Sequence, residues 1–343
     1  MPLAPTELEP PQGGFFTSSG SGWAGHAQTV ASALWAQRYP GAAPRWQRER
    51  WATPDGDFVE VDHLLAPTTP EAPCLVLFHG LEGSSQSHYA QALAHVARQR
   101  GWPLVLPHFR GCGGAINHGP RAYHSGDFAE IDWMLRRVRQ LHPGRPLYAL
   151  GVSLGGNALL RWAGEAGQAA LEVVRAVAAV SAPLDVAAAG HAMDRGVNRW
   201  LYVRRFLHTM RAKARAKWRQ YPGLFDLEAA LRARTLYAFD DAFTAPLHGF
   251  AGVDDYWQRA SALPGLQAVQ VPALLLNARN DPFVPAASLP TCQQVSAAVT
   301  LWQPAWGGHV GFAGPLDGRA RWRLQIWAWP ERVLDWLHQQ PPA

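Results

Sequence analysis

Three residues of this 343-residue chain have the types and surroundings for nucleophilic acyl chemistry: Ser153, Asp281 and His309. Ser153 sits in Gly151-Val152-Ser153-Leu154-Gly155, a G-x-S-x-G pattern with an apolar run before it and a helical pattern after it. That is the context a nucleophile elbow requires. The spacing has a steric reason. A strand that turns at once into a helix holds the serine in a strained backbone conformation, and small residues two before and two after it let the neighbouring backbone pass. The turn lifts the hydroxyl to a helix N-terminus, where N–H groups and the helix dipole favour negative charge.

A serine hydroxyl attacks only when a base takes its proton. Where such an elbow is used, the acid and the histidine follow it in that chain order. Asp281 follows the apolar run Ala273–Asn277, in the loop at a strand's C-terminal end, where open α/β sheets build their sites. His309 lies in Gly307-Gly308-His309-Val310-Gly311, after the last apolar run, with glycines that let the backbone carry an imidazole to the serine. Asp240, Asp241, Asp254 and Asp255 are the other acids in order, but they fall in a helical stretch and fit its surface or packing better. An oxyanion needs N–H donors aimed at it. Leu154, directly after the serine, supplies one, and Leu81, in His79-Gly80-Leu81-Glu82-Gly83-Ser84, is the best-placed second donor. His79 itself reads as shaping that loop. Trp302 and Trp306 precede His309 and are candidates for lining an acyl pocket, with core packing as the other reading. Cys112, in a glycine-rich loop, reads as structural, since nothing near it in sequence supplies both a base and an orienting group.

These residues need a scaffold of short buried strands. Cys74–His79, Leu104–Pro107, Leu147–Gly151, Ala176–Val180, Ala273–Asn277 and Val299–Trp302 are apolar runs. Helical patterns at about 87–100, 127–142 and 154–166 lie between them. Strands alternating with helices predict βαβ units in a mostly parallel sheet buried on both faces. Ahead of them, Pro54-Asp55-Gly56-Asp57 joins two alternating segments and predicts an antiparallel hairpin. The alternation breaks at about 187–265, a strand-free helical insertion expected to form a lid over the C-terminal edge of the sheet. A last helix is expected at roughly 330–340, opening on Pro330 and Glu331. Residues 1–22 are rich in Pro, Gly and Ser and read as a flexible leader, leaving 23–343 as one domain.

Composition narrows the function further. With 48% hydrophobic and 17% charged residues the chain is not disordered. Three distant cysteines without a CxxC pair argue against disulfides and zinc. No apolar run reaches the ~18–20 residues of a membrane span. The N-terminus lacks a secretory pattern, so a cytoplasmic protein is expected. No P-loop, HExxH or EF-hand pattern occurs, so no metal and no cofactor is expected. The net charge of +5 suggests a polyanion partner until it is located. Arg195–Arg219 holds nine basic residues and no acidic one; removing those nine from the 31 leaves 22 basic against 26 acidic side chains. The excess therefore belongs to the insertion. No nucleic-acid partner is expected; a solvated helix face, or contact with an anionic membrane surface, accounts for it.

The motifs together resemble the YheT-type α/β-hydrolases. The loops at His79–Ser84, Arg110-Gly111-Cys112-Gly113-Gly114, Gly151–Gly156, Asn280-Asp281-Pro282-Phe283 and Gly307–Phe312 carry the resemblance. So do Gly25-His26-Ala27-Gln28-Thr29, Pro54–Phe58, Phe239–Thr244 and His248-Gly249-Phe250. The likeness spans about residues 22–338. It implies an α/β-hydrolase fold, a Ser153–Asp281–His309 triad and cleavage of carboxylic esters without cofactor. Acylglycerol and phospholipid lipases among the eukaryotic relatives make an acyl-chain or lipid ester the expected substrate. Two rival functions remain at this stage: acyl transfer by the same triad, and non-catalytic binding of anionic lipid or polyanion through the basic segment.

Overall fold

The computed structural model describes residues 23–315 and 324–341; the leader expected at 1–22 lies outside them. Helix α1 (Trp23–Leu34) precedes a hairpin of β1 (Trp46–Ala52) and β2 (Phe58–Leu64). Then come β3 (Cys74–Phe78), α2 (His88–Arg100), β4 (Leu104–Pro107), α3 (Phe128–Leu141), β5 (Leu147–Val152) and α4 (Leu154–Ala166). A short helix α5 (Ala170–Val173) leads into β6 (Ala176–Val180). Strands β7 (Ala273–Leu276) and β8 (Val299–Trp302) complete an eight-stranded sheet in the order β1-β2-β4-β3-β5-β6-β7-β8. The β1–β2 and β2–β4 pairs are antiparallel, and every pair from β4 to β8 is parallel.

The continuous apolar runs are buried on both faces because alternate residues serve two cores. Val76, Phe78, Ala149, Val177 and Leu275 pack with Ile131, Leu135, Leu159 and Trp162 of α3 and α4. Leu75, Leu77, Leu150, Ala178 and Leu274 pack on the opposite face with Leu93 of α2 and Val333 and Leu337 of the last helix. Each fully buried Leu or Val side chain is worth about 1.5–3 kcal/mol. Neither face can therefore be exposed without large cost.

Between β6 and β7 the described chain is helical and turn only. Its helices are α6 (Val186–Met193), α7 (Gly196–Asn198), α8 (Arg204–Gln220), α9 (Leu227–Arg232), α10 (Leu236–Phe239), α11 (Ala245–Leu247) and α12 (Val253–Ala260). Asp185, Asp226 and Thr235 cap α6, α9 and α10, each side chain accepting from an N–H of the first turn. π-helical turns at Arg199–Val203 and Asp240–Thr244 interrupt the regular helix. This segment has its own apolar core of Val203, Leu207, Phe225, Phe239, Tyr256 and Trp257, among others.

Two elements depart from the sequence reading. No helix was expected at α1, whose Gly25, Thr29 and Val30 are weak helix formers; its tertiary contacts, given below, outweigh propensity. Beyond a two-strand ladder of β9 (Gly314–Pro315) and β10 (Leu324–Gln325), the last helix, α13, spans Ala328–His338. It begins two residues before the expected Pro330. A proline in the first turn sacrifices no intrahelical donor. The Gln325 side-chain oxygen takes the N–H groups of Trp327 and Ala328.

Candidate active site

Strand β5 ends at Val152 and α4 begins at Leu154, leaving Ser153 alone at the turn with φ 54° and ψ −123°. Left-handed φ in a non-glycine residue costs energy, and its surroundings hold it there. Ser153 N–H donates to the Val180 carbonyl at 2.8 Å, and the Ser153 carbonyl accepts from Gly156 and Asn157 at 2.9 and 3.1 Å. The neighbouring glycines are required by close approach: a Cβ on Gly151 would lie 2.4 Å from the Gly155 carbonyl, and one on Gly155 2.4 Å from that of Phe78. Asn157, fully buried, then locks α4 in place. Its amide donates to Ser125 and to the Ala260 carbonyl, and its oxygen accepts from Ala262.

The loops after β7 and β8 bring Asp281 and His309 to the serine. His309 Nε2 lies 3.0 Å from Ser153 Oγ, and its Nδ1 lies 2.9 Å from Asp281 Oδ2. The other carboxylate oxygen accepts from the N–H groups of Phe283 and Val284 at 2.8 and 3.3 Å. Phe283 also stacks on the imidazole, ring centroids 4.1 Å apart. All three residues singled out from the sequence thus meet in one hydrogen-bonded chain.

What holds the histidine loop was missed from sequence. Thr29 Oγ1 accepts the His309 N–H at 2.8 Å, and Gln28 Oε1 accepts from Gly307 N–H and from the Asn280 amide. Asn280 Oδ1 takes the Gly308 N–H, and Ser181 Oγ that of Val310. Helix α1 packs close enough that a Cβ on Gly25 would lie 2.0 Å from the Asn280 carbonyl. The available signal was the Gly25–Thr29 motif: its Gln28 and Thr29 are buried, and buried polar side chains need partners.

The loop after β3 passes over the elbow. Gly80 N–H donates to the Tyr89 hydroxyl, Glu82 N–H to that of Tyr123 and Gly83 N–H to the Gly80 carbonyl. The Leu81 N–H has no such acceptor among the described residues, and Leu154, first in its helix, has no intrahelical one. Both residues line the cavity of Ser153. His79 is completely buried; its Nδ1 is 2.8 Å from the Gly80 carbonyl and its Nε2 accepts from Phe109 N–H. Burial pushes its pKa down to about 3, so it is neutral and shapes the loop. Cys112 Sγ is 3.0 Å from Lys213 Nζ, and burial pushes its thiol up to about 11, far from a reactive thiolate.

A cavity of about 650 Å³ opens over Ser153 and His309, within the size range of small-molecule sites. Its far wall comes from the helical segment, through Phe206, Met210, Phe239 and Phe243. Trp302 and Trp306 do not line it. Strand β8 turns Trp302 into the core on the α2–α13 face, so packing is its role, and Trp306 is half-buried outside the cavity wall. The basic segment also divides. Lys213 pairs with Glu82 at 2.7 Å. Buried Lys217 donates to Asn117 and to the Gly119 carbonyl, and burial pushes its pKa down to about 8. Arg211 donates to the Ala233 carbonyl. Arg195, Arg199, Arg204, Arg205, Arg215 and Arg219 are exposed. Among the described residues no group of three or more His, Cys, Asp or Glu is arranged to hold a metal ion, and no helix is long and apolar enough to cross a membrane.

Comparison with known proteins agrees with this fold. Residues 73–314 match the family model for the alpha/beta hydrolase fold. The chain is 37% identical over 315 residues to the Escherichia coli (strain K12) protein named "Putative esterase YheT", covering 91% of this chain and 89% of that one. It is 28% identical over 330 residues to human Phospholipase ABHD3, covering 93% and 76%. Among solved structures, the Pyrococcus furiosus esterase Pf2001 superimposes with a TM-score of 0.54 at 15% identity, over 87% of this chain and 93% of that one, a likeness of fold. A G-x-S-x-G elbow on a mostly parallel eight-stranded sheet, its histidine and acid on the loops after β8 and β7, and a relative matched along nine-tenths of the chain lead to one assignment: the chain belongs to the α/β-hydrolase fold family, in its YheT-type branch.

Proposed function

We propose that the protein is a serine hydrolase that cleaves carboxylic esters with an acyl-chain or lipid-like acid part. The observation that carries this reading is His309, bridging Ser153 Oγ and Asp281 Oδ2 at 3.0 and 2.9 Å on the floor of a largely apolar cavity. His309 Nε2 takes the Ser153 proton as Oγ attacks the ester carbonyl; Asp281 fixes the imidazole tautomer and stabilises its positive charge. The Leu81 and Leu154 N–H groups receive the oxyanion, each worth about 3–4 kcal/mol of barrier. The alcohol departs with the proton from His309, and water, activated by the same imidazole, releases the acid from the acyl-enzyme.

The names of the relatives, an esterase and a phospholipase, support ester cleavage, and the phenyl-lined wall supports an apolar acid part. In this reading the helices from Val186 to Ala260 serve as the lid that selects the acyl group. The test is labelling with a fluorophosphonate, comparing wild type with Ser153→Ala. Labelling of wild type alone is expected; a folded wild type that takes no label overturns the reading. Ester substrates of graded acyl length then locate the preferred chain, and added alcohol reports whether acyl transfer competes with water.

A further inference from the structure

Of the nine large apolar side chains exposed among the described residues, five fall on α1, the residue after it and the turn Arg199–Val203. Trp23 is 64% exposed, Leu34 59%, Trp35 74%, Trp200 71% and Leu201 45%. Trp23, Trp200 and Leu201 border one shallow concavity together with Arg195 and Arg199. Leu34, Leu201 and Arg205 also line the cavity of Ser153, so the patch is continuous with its wall. Tyr202, in the π-helical turn with Trp200 and Leu201, fixes this corner: it stacks on His26 of α1 and meets Phe283 edge-on.

The exposed charges around the patch are all basic, and the one acid that lines the concavity, Asp194, is half-buried. Arg195, Arg199, Arg204 and Arg205 are exposed, and none makes an ion pair among the described residues. The Arg204 guanidinium lies over the Trp200 ring, 5.2 Å from its centroid. The acid beside them, Asp194, is turned inward and accepts from the N–H groups of Leu236 and Tyr237. A second copy docking by two-fold symmetry would set the same cations against each other, a poor match. Tryptophan settles at the headgroup level of a bilayer, and arginine is drawn to its anionic surface.

We infer that this corner, formed by α1 and the turn Arg199–Val203, docks the protein on an anionic lipid bilayer with the cavity mouth beside the lipid. Docking is therefore the work of only part of the basic segment, its N-terminal arginines, while Lys213, Lys217 and Arg211 hold the helices in place. The inference deepens the reading of the cavity as an acyl-ester site, which gives it its purpose.

The test uses the full chain carrying Ser153→Ala, so that docking and hydrolysis are separate results. It is sedimented at low salt with vesicles of phosphatidylcholine alone and of phosphatidylcholine mixed with phosphatidylglycerol. Binding is expected to the mixed vesicles and to fall as salt rises. Adding Arg199→Ser and Arg204→Ser should weaken it about 25-fold, at about fivefold per arginine. Adding Trp200→Ser should weaken it as well and reduce the blue shift of tryptophan emission on binding. On the Ser153 background, these variants should hydrolyse a short water-soluble ester at the wild-type rate. No binding to mixed vesicles, binding indifferent to these substitutions, or a wild-type dimer dissociated by Trp200→Ser would each overturn the inference; the last would give the patch to a second copy.

Discussion

Around Ser153 the floor of the cavity is fastened by hydrogen bonds between distant loops, whereas the helices above it meet the cavity with phenyl rings and a methionine. On the floor, His309 is held through its ring by Asp281 and through its backbone by Thr29. On the roof, Phe206, Met210, Phe239 and Phe243 offer shape, and directional bonds fall mainly to Lys213 and Lys217, which tie the helices to Glu82, Asn117 and Gly119. Hydrogen bonds fix atoms to within fractions of an ångström, as proton transfer demands. Apolar walls tolerate exchange of one side chain for another of similar volume. In the proposed function, chemistry falls to the hydrogen-bonded half and selectivity to the apolar half.

Substitutions on the two halves should separate along that line. Ser153→Ala should reduce ester turnover roughly a millionfold with the circular-dichroism spectrum unchanged, the size seen when a serine nucleophile is removed. Asp281→Asn should cost about 10⁴ in kcat, because the imidazole loses the partner that sets its tautomer; near-wild-type turnover would remove Asp281 from its role. Thr29→Val leaves the His309 N–H unpaired, so kcat should fall about tenfold to a hundredfold, with KM almost unchanged. A fall in Tm without a change in kcat would make Thr29 merely structural.

Acid should act on the floor through His79. Its folded pKa of about 3 lies below the ordinary 6.5, so between these values the unfolded chain binds a proton that the folded one does not. Stability is full above pH 6.5 and is lost as pH falls toward 3, by about 2 kcal/mol at pH 5 from this residue alone. Denaturant titrations at pH 7 and 5 should show a smaller loss in His79→Gln; an equal loss would assign the acid sensitivity elsewhere. The mildest effect belongs to the roof. Phe243→Ala should shift preference toward longer acyl chains by about tenfold while the best kcat stays near wild type, as read from competing esters.

The same division explains what could be read from the residues. The elbow, the strands on either side of it and the loops of Asp281 and His309 follow local rules, since each is written in five or six consecutive residues. Helix α1 offers only the Gly25–Thr29 motif, whose Gln28 and Thr29 gain their meaning from loops some 280 residues further on. The charge run misled in part for a related reason. Lys213 and Lys217 look like their neighbouring arginines, yet buried carbonyls and Glu82 draw them inward. Trp302 shows the converse, an aromatic shortly before the His309 loop that strand alternation turns into the core.

The bond between Thr29 and the backbone of His309 also sets an order of events in synthesis. A ribosome delivers the serine elbow well before residue 309, and only then can Thr29 of α1 find the backbone it holds. Nascent chains arrested before Gly307 carry Ser153 without His309, so, if the proposed roles hold, a fluorophosphonate should leave them unlabelled. On the proposed mechanism, hydrolysis then has to wait until these two distant segments, some 280 residues apart in the chain, have met.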